Sequence, residues 1–259
     1  MSGFNNTHLD SLEQRFLIMK ASYPMLTDIF QYSLKALNID GSSNLSSIIK
    51  SGYNLINVLE QDDALRKKLN TRPHYHNIDH ASEVVLAVTM LLEKEPDHDL
   101  NNWSMLTQEE KGLILCAALG HDLYHPGGKN RIDCEFEKNS AKEVANIMRL
   151  EKVSEHHIDW VSQLIMATNF EDVASLHRQY NDNLAQRSKL LQAKILLTEA
   201  DIFASILPKH GEDLTHKLSK EFEEAGVAHA NQLLLKQARQ DFLNSISFSS
   251  LCAQKLGLI

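Results

Sequence analysis

The sequence predicts an all-α fold, and three observations carry that prediction. Glycine (10) and proline (5) are scarce in the 259 residues. Leucine, alanine, glutamate and lysine are plentiful, and no run alternates apolar and polar residues for long enough to build a sheet. With 43% hydrophobic residues the chain can bury one large core. A single unit over 1–259 is expected, with 1–70 as N-terminal packing helices and 71–246 as a helical core that holds its chemistry between helices.

Residues 9–37 place apolar side chains at Leu12, Phe16, Ile18 and Met19, then at Leu26, Ile29, Phe30, Leu34 and Leu37, with Pro24 dividing two helices. DGSSNLSS (40–47) reads as a loop able to cap a helix at about 45–60. Val84, Val85, Val88, Leu91 and Leu92 define an amphipathic helix over 80–95, entered through Asn77 or Asp79 as its cap and ended by EPDHDLNNWS. Thr107 and Glu110 make a T-x-x-E capping box ahead of KGLILCAALGHD, a buried helix with His121 and Asp122 at its C-terminal end. YHPGGKN (124–130) is a loop by its proline and paired glycines. Further helices are expected at about 138–150, 154–168, 186–207, 211–225 and 229–246.

The formal net charge of −8 argues against nucleic acid and anionic membranes as partners, because both demand a basic surface. The three cysteines, Cys116, Cys134 and Cys252, are an odd number with no CxxC spacing, which argues against a disulfide framework and a thiolate zinc site and fits a reducing cytoplasm. The opening MSGFNNTHLDSLEQ lacks the basic and apolar regions of a secretory signal, and GLILCAALG is too short to span a bilayer. A soluble cytoplasmic protein is expected; the sequence leaves its oligomeric state open.

Chemistry concentrates between residues 74 and 125, where His74, His76, His80, His121 and His125 fall. His121-Asp122 follows the apolar face of Leu113, Ala117 and Ala118, so helical spacing aims both inward. Asp201 raises the same difficulty, since Ile195, Leu197, Ile202 and Ala204 surround a carboxylate that is expensive to bury unpaired. One divalent cation would compensate both acids. Imidazoles and carboxylates from separate helices suit Zn²⁺, Mn²⁺ or Fe²⁺, and an adjoining oxygen-rich position suits Mg²⁺ or Mn²⁺. The candidate ligands are His80, His121, Asp122 and Asp201.

YHNIDHASEVV followed by HDLYHPGGKN resembles the YHNxxHAxxV and HDxxHPGxxN motifs of class I cyclic nucleotide phosphodiesterases, within the wider HD-domain metal-dependent phosphohydrolases. NSAKEV (139–144), SEHH (154–157), LIMATNF (164–170), EAD (199–201) and KEFEEAG (220–226) extend the likeness over roughly 70–245. The resemblance implies two divalent ions, the first on His80, His121, Asp122 and Asp201 and the second bridged by Asp122. It implies His76 as general acid with His125 beside it, and Asn77, Asn130, Glu155 and His156 as groups that orient ligands or waters. It implies a small phosphate ester, a nucleotide, as substrate, with Asn169, Gln240 and Phe242 as its contacts.

Two departures accompany the likeness: Asn169 stands where the family has aspartate, and the position three before Phe242, where the family's purine-gripping glutamine would fall, is Arg239. The expected reaction is hydrolysis of the 3′ phosphoester of a 3′,5′-cyclic nucleotide. The same ligand pattern also serves phosphomonoesterases acting on nucleoside monophosphates, metal-binding regulators and di-iron oxygenases. Cys116, among apolar residues, reads as inert core.

Overall fold

The structure is a computed structural model and describes residues 6–41, 45–98, 103–183 and 187–259. Parts of the loops expected at 40–47 and 95–104 lie outside the described residues. In chain order the helices are α1 (Asn6–Ser22), α2 (Leu26–Ala36), α3 (Ser46–Leu69), α4 (Ile78–Leu92), α5 (Gln108–Gly120) and α6 (Glu135–Leu150). They continue as α7 (Glu155–Met166), α8 (Phe170–Asp182), α9 (Lys189–Ile206), α10 (Pro208–Glu224), a 3₁₀ segment (Ala230–Leu234), α11 (Lys236–Ser245) and α12 (Leu251–Lys255). Among the described residues there is no β-strand, and no helix is long and apolar enough to cross a membrane.

A helix that is apolar on every side belongs at the centre of a fold. Three helices come near that condition, with Thr89 of α4 and Thr198 and Glu199 of α9 as buried polar residues within their runs. In α4 everything from Val84 to Leu92 is buried, in α5 everything from Gly112 to Gly120, and in α9 everything from Ile195 to Ala200. They pack on one another, with α2 and α3 covering one side, α7 lying on α5 and α9, and α6 joining α3 to α7. Gly120 permits the close passage of α5 past α6, since a Cβ there would overlap the Val144 side chain. One continuous apolar cluster runs from Leu9 to Leu258.

Local signals set most boundaries. Asn77 caps α4 by accepting from Asp79 N, and both halves of the Thr107–Glu110 capping box form at α5. The α3 helix runs well past 60 because its polar end is tied by Arg66–Asp62 and Lys67–Asp63 ion pairs one turn apart. The expected helix at 229–246 is instead two segments, broken where Leu235 turns extended. The helices α8 and α12 were not expected; α8 buries only His177 and Tyr180, too little for an apolar period to register.

The helix α10 begins after Leu207, which has no side-chain cap to offer. Glu13 of α1 supplies one, accepting from Lys209 N (2.9 Å) and His210 N (2.6 Å) at the positive end of the helix dipole. Phe16 packs on Phe203 and on the His210 ring. Next to it Glu83, 1% exposed, receives Lys20 of α1 and His210 Nε2 (2.8 Å) on one oxygen. Burial would raise the Glu83 carboxyl, but His210 and Lys20 hold it down at about 2 against an ordinary 4.5.

Because the folded value lies below the unfolded one, this group stabilises the fold above pH ~4.5 and loses that contribution as pH falls toward its folded value. The stake is roughly 3 kcal/mol. Thermal unfolding followed by circular dichroism should therefore show a Tm falling steeply between pH 5 and 3 (roughly the window set by the two values), with Glu83→Gln flattening that slope; an equal slope in the variant refutes the assignment.

Candidate metal centre and active site

The segment entering α4 is a tied turn. Asn77 Nδ2 donates to Pro73 O (2.8 Å) and His74 O (3.1 Å), and Arg72 Nη2 donates to Asn77 Oδ1 (3.1 Å) and Asp79 (2.8 Å). Asn77 is thus a cap and turn brace, and this frame delivers His76 and His80 to the same cavity. His80 lies in the first turn of α4 and His121 just past the end of α5, both buried; Asp122 follows, and Asp201 projects from α9.

Their ligand atoms converge. His80 Nε2 lies 3.0 Å from Asp201 Oδ1, 3.4 Å from Asp122 Oδ2 and 3.2 Å from His121 Nε2. His121 Nε2 lies 3.2 Å from Asp122 Oδ2 and 3.4 Å from Asp201 Oδ1. Ligands about 2.1 Å from a common centre sit about 3.0 to 3.4 Å from their neighbours, which is this spacing. His121 Nδ1 donates to Ala118 O (2.9 Å), so its Nε2 lone pair faces the cluster, as a metal ligand requires. Among the described residues His80 Nδ1 has no such partner.

Without a cation the cluster balances itself through protons. Burial alone would push His80 down, but Asp122 and Asp201 carry it up to about 9, and the same two acids raise His121 well above its ordinary value against its own burial. Both carboxyls are held well below the ordinary range by the two histidines, against burial that would raise them. Two imidazoles and two carboxylates poised to exchange protons for a divalent ion are a donor set that fits one.

A second cluster adjoins the first. His76 Nδ1 lies 2.5 Å from Glu221 Oε1 on α10, and Glu221 Oε2 accepts from Tyr75 N (2.7 Å) and His76 N (3.0 Å). Burial would raise Glu221, but His76 and these amides hold it at about 2, so it is a carboxylate at neutral pH. The His125 ring stacks on His76 with centroids 3.9 Å apart, and its Nδ1 accepts from Gly127 N (3.1 Å). Burial and the charge of His76 push His125 down to about 3, which leaves it neutral. Gly127 and Gly128 take φ of 87° and 88°, and that turn brings the loop backbone over Glu221.

Both clusters open on one cavity of about 450 Å³. Tyr75, His76, Asp122, His125 and Asp201 form its polar end; Ile202, Leu214, Leu218, Phe222, Leu233 and Phe242 line its apolar walls. Asn169 lies in the wall with its amide turned to Asp172 (2.8 Å) and Cys134 Sγ (3.3 Å). Asn130 also lines it, bonded to Glu137 and Phe136 N.

Three expected site residues are not brought here. Glu155 and His156 are exposed at the start of α7, where Glu155 pairs with Arg149 (2.9 Å). Their helix turns its apolar face, Ile158, Val161 and Leu164, to the core, which leaves its first turn in solvent. Gln240 is exposed and bonded to Asn244 (3.2 Å), because the α11 residues that face the cavity are Ala238, Arg239 and Phe242. His74 pairs with Glu224 at the surface. The residue that sequence reading missed is Glu221; its signal was an acid in register with Leu214 and Leu218 on the buried stripe of α10.

Residues 75–240 match the family model described as 3'5'-cyclic nucleotide phosphodiesterase. The chain is 29% identical over 154 residues to "3',5'-cyclic-nucleotide phosphodiesterase 2" of Saccharomyces cerevisiae, covering 49% of this chain and 26% of that protein. It thus spans about a quarter of the length of this relative. In fold it is similar to the crystal structure of the phosphodiesterase domain of Salpingoeca rosetta rhodopsin phosphodiesterase, with a TM-score of 0.57, 20% identity, and coverage of 80% of this chain and 68% of that one.

Proposed function

The chain belongs to the 3'5'-cyclic nucleotide phosphodiesterase family, and from that premise we propose that it hydrolyses the 3′ phosphoester bond of a 3′,5′-cyclic nucleotide, with His76 as general acid. The observation that carries this reading is the placement of the four-ligand cluster beside the His76–Glu221 pair at the polar end of one cavity.

His80, His121, Asp122 and Asp201 would hold the first ion, Zn²⁺, Mn²⁺ or Fe²⁺, and Asp122 would share a second, Mg²⁺ or Mn²⁺. Bound there, divalent ions supply an activated water and neutralise phosphate oxygens. The protein's own residues do the rest. Water attacks phosphorus and loses one proton to solvent as the new P–O bond forms, the P–O3′ bond breaks, and its electron pair goes to O3′, which must take a proton.

His76 donates that proton from Nε2, because Nδ1 is committed to Glu221. Glu221 is a positioning residue: its carboxylate fixes the ring orientation and balances the imidazolium. His125, neutral and stacked, excludes water from the flat face of His76 without competing as an acid. The product is a nucleoside 5′-monophosphate.

A screen of metal-supplemented protein against 3′,5′-cyclic nucleotides and nucleoside 5′-monophosphates tests this. Release of the 5′-monophosphate from the cyclic substrate is the expected result; hydrolysis confined to monophosphates rejects the reading in favour of a phosphomonoesterase.

A further inference from the structure

Behind the ligand cluster, α4 leaves one buried donor and one buried acceptor over. His80 turns Nε2 to the cluster, and its Nδ1 is buried with no hydrogen-bond partner among the described residues. One turn along the same helix Glu83 is 1% exposed, and its Oε2 is likewise buried and unbonded. The neighbours of Glu83 from α1 and α10 do not account for that oxygen, since Lys20 and His210 Nε2 (2.8 Å) both take Oε1. Tyr75 covers the His80 ring, with centroids 4.8 Å apart, but turns its hydroxyl to Ser205 Oγ (3.0 Å).

Native interiors rarely leave either kind of group unmade. Helical side chains lean toward the N-terminus, so a residue at i+3 lies back over residue i, and Glu83 lies back over His80. The two do not bond directly. A donor and an acceptor that face each other beyond hydrogen-bond reach are joined by a water. His121 meets the same need locally, donating from Nδ1 to Ala118 O (2.9 Å) in the last turn of α5. His80 opens its helix, where only the cap precedes it, and takes a side chain instead.

We infer that Glu83 is a positioning residue for the metal: its Oε2 receives the His80 Nδ1–H through one bridging water. That link fixes the tautomer that turns the Nε2 lone pair to the ion and strengthens His80 as a ligand. The assignment rests on the reading of His80, His121, Asp122 and Asp201 as a metal centre. Glu83 thus gives one oxygen to the fold and the other to the site.

The test is Zn²⁺ binding to the full chain, by competition with a chromophoric chelator, in wild type, E83Q and K20M, each checked by circular dichroism. E83Q should bind Zn²⁺ about 10–100-fold more weakly, the usual effect of removing the outer partner of a ligand, whereas K20M, which cuts a tie to Oε1 alone, should stay within about threefold of wild type. In ¹H–¹⁵N spectra of the Zn²⁺-loaded wild-type protein the His80 Nδ1–H should be protected from solvent exchange; E83Q should lose that protection and K20M keep it. Unchanged affinity in E83Q or an equal loss in K20M would overturn the assignment. So would an unprotected His80 Nδ1–H in the wild type, which decides the matter even where E83Q does not fold. If Asp122→Ala loses Zn²⁺ while E83Q holds it like wild type, the metal centre stands and the role of Glu83 falls. If the wild-type protein takes no Zn²⁺, the metal centre falls and the role of Glu83 with it.

Discussion

Asp122→Ala is expected to lose metal and turnover together. Asp122 Oδ2 lies 3.2 Å from His121 Nε2 and 3.4 Å from His80 Nε2, so its removal leaves two imidazoles facing a single remaining carboxylate, Asp201. Removing even a partner that only supports a ligand typically costs about 10–100-fold in metal affinity, so loss of a ligand shared by both proposed ions should exceed roughly 100-fold. Metal content after dialysis, read by elemental analysis, should fall below one equivalent while the protein stays helical by circular dichroism. Full metal retention by the folded variant would remove Asp122 from the ligand set.

His76→Ala should behave in the opposite way, keeping its metal and losing rate. A positioned general acid contributes typically about 10²–10⁴-fold, and kcat on a cyclic nucleotide should drop by that amount. The dependence on leaving group is the sharper measurement. The ribose 3′ alkoxide needs a proton to depart and p-nitrophenolate does not, so the variant should lose far less on bis(p-nitrophenyl) phosphate than on the nucleotide. Glu221→Gln should fall between wild type and His76→Ala, with kcat reduced and KM little changed, because Glu221 acts through the ring it orients. Equal losses on both leaving groups would deprive His76 of its acid role.

The convergence of the candidate ligands was legible in the sequence because burying charge is expensive. His121, Asp122 and Asp201 sit where helical spacing demands apolar residues, and a cation is the economical resolution. Helix entries were legible for a related reason, since Asn77 and the Thr107–Glu110 box satisfy local backbone donors that no distant residue needs to reach.

The register of Glu221 with Leu214 and Leu218 signalled a buried acid but not its role, because its partner, His76, lies 145 positions away and meets it only once α10 packs beside the loop before α4. The α11 register was lost for a smaller reason: Gln240 and Arg239 are neighbours, and a helix turns about 100° between them, enough to send one to the cavity and the other to solvent. Glu155 and His156 were drawn in by motif likeness alone, with no burial pressure of their own.

The capping of α10 by Glu13 relocates the edge of the working unit. The matched family segment opens at residue 75, yet α10, which carries Glu221 at one end, is held at its other end by Glu13 and, through His210 and Glu83, by Lys20. A fragment cut to the matched segment would keep every proposed ligand and lose both of these ties. The proposed proton donor is thus tied, at one remove, to a helix some fifty residues upstream of it, which a fragment beginning at residue 75 lacks.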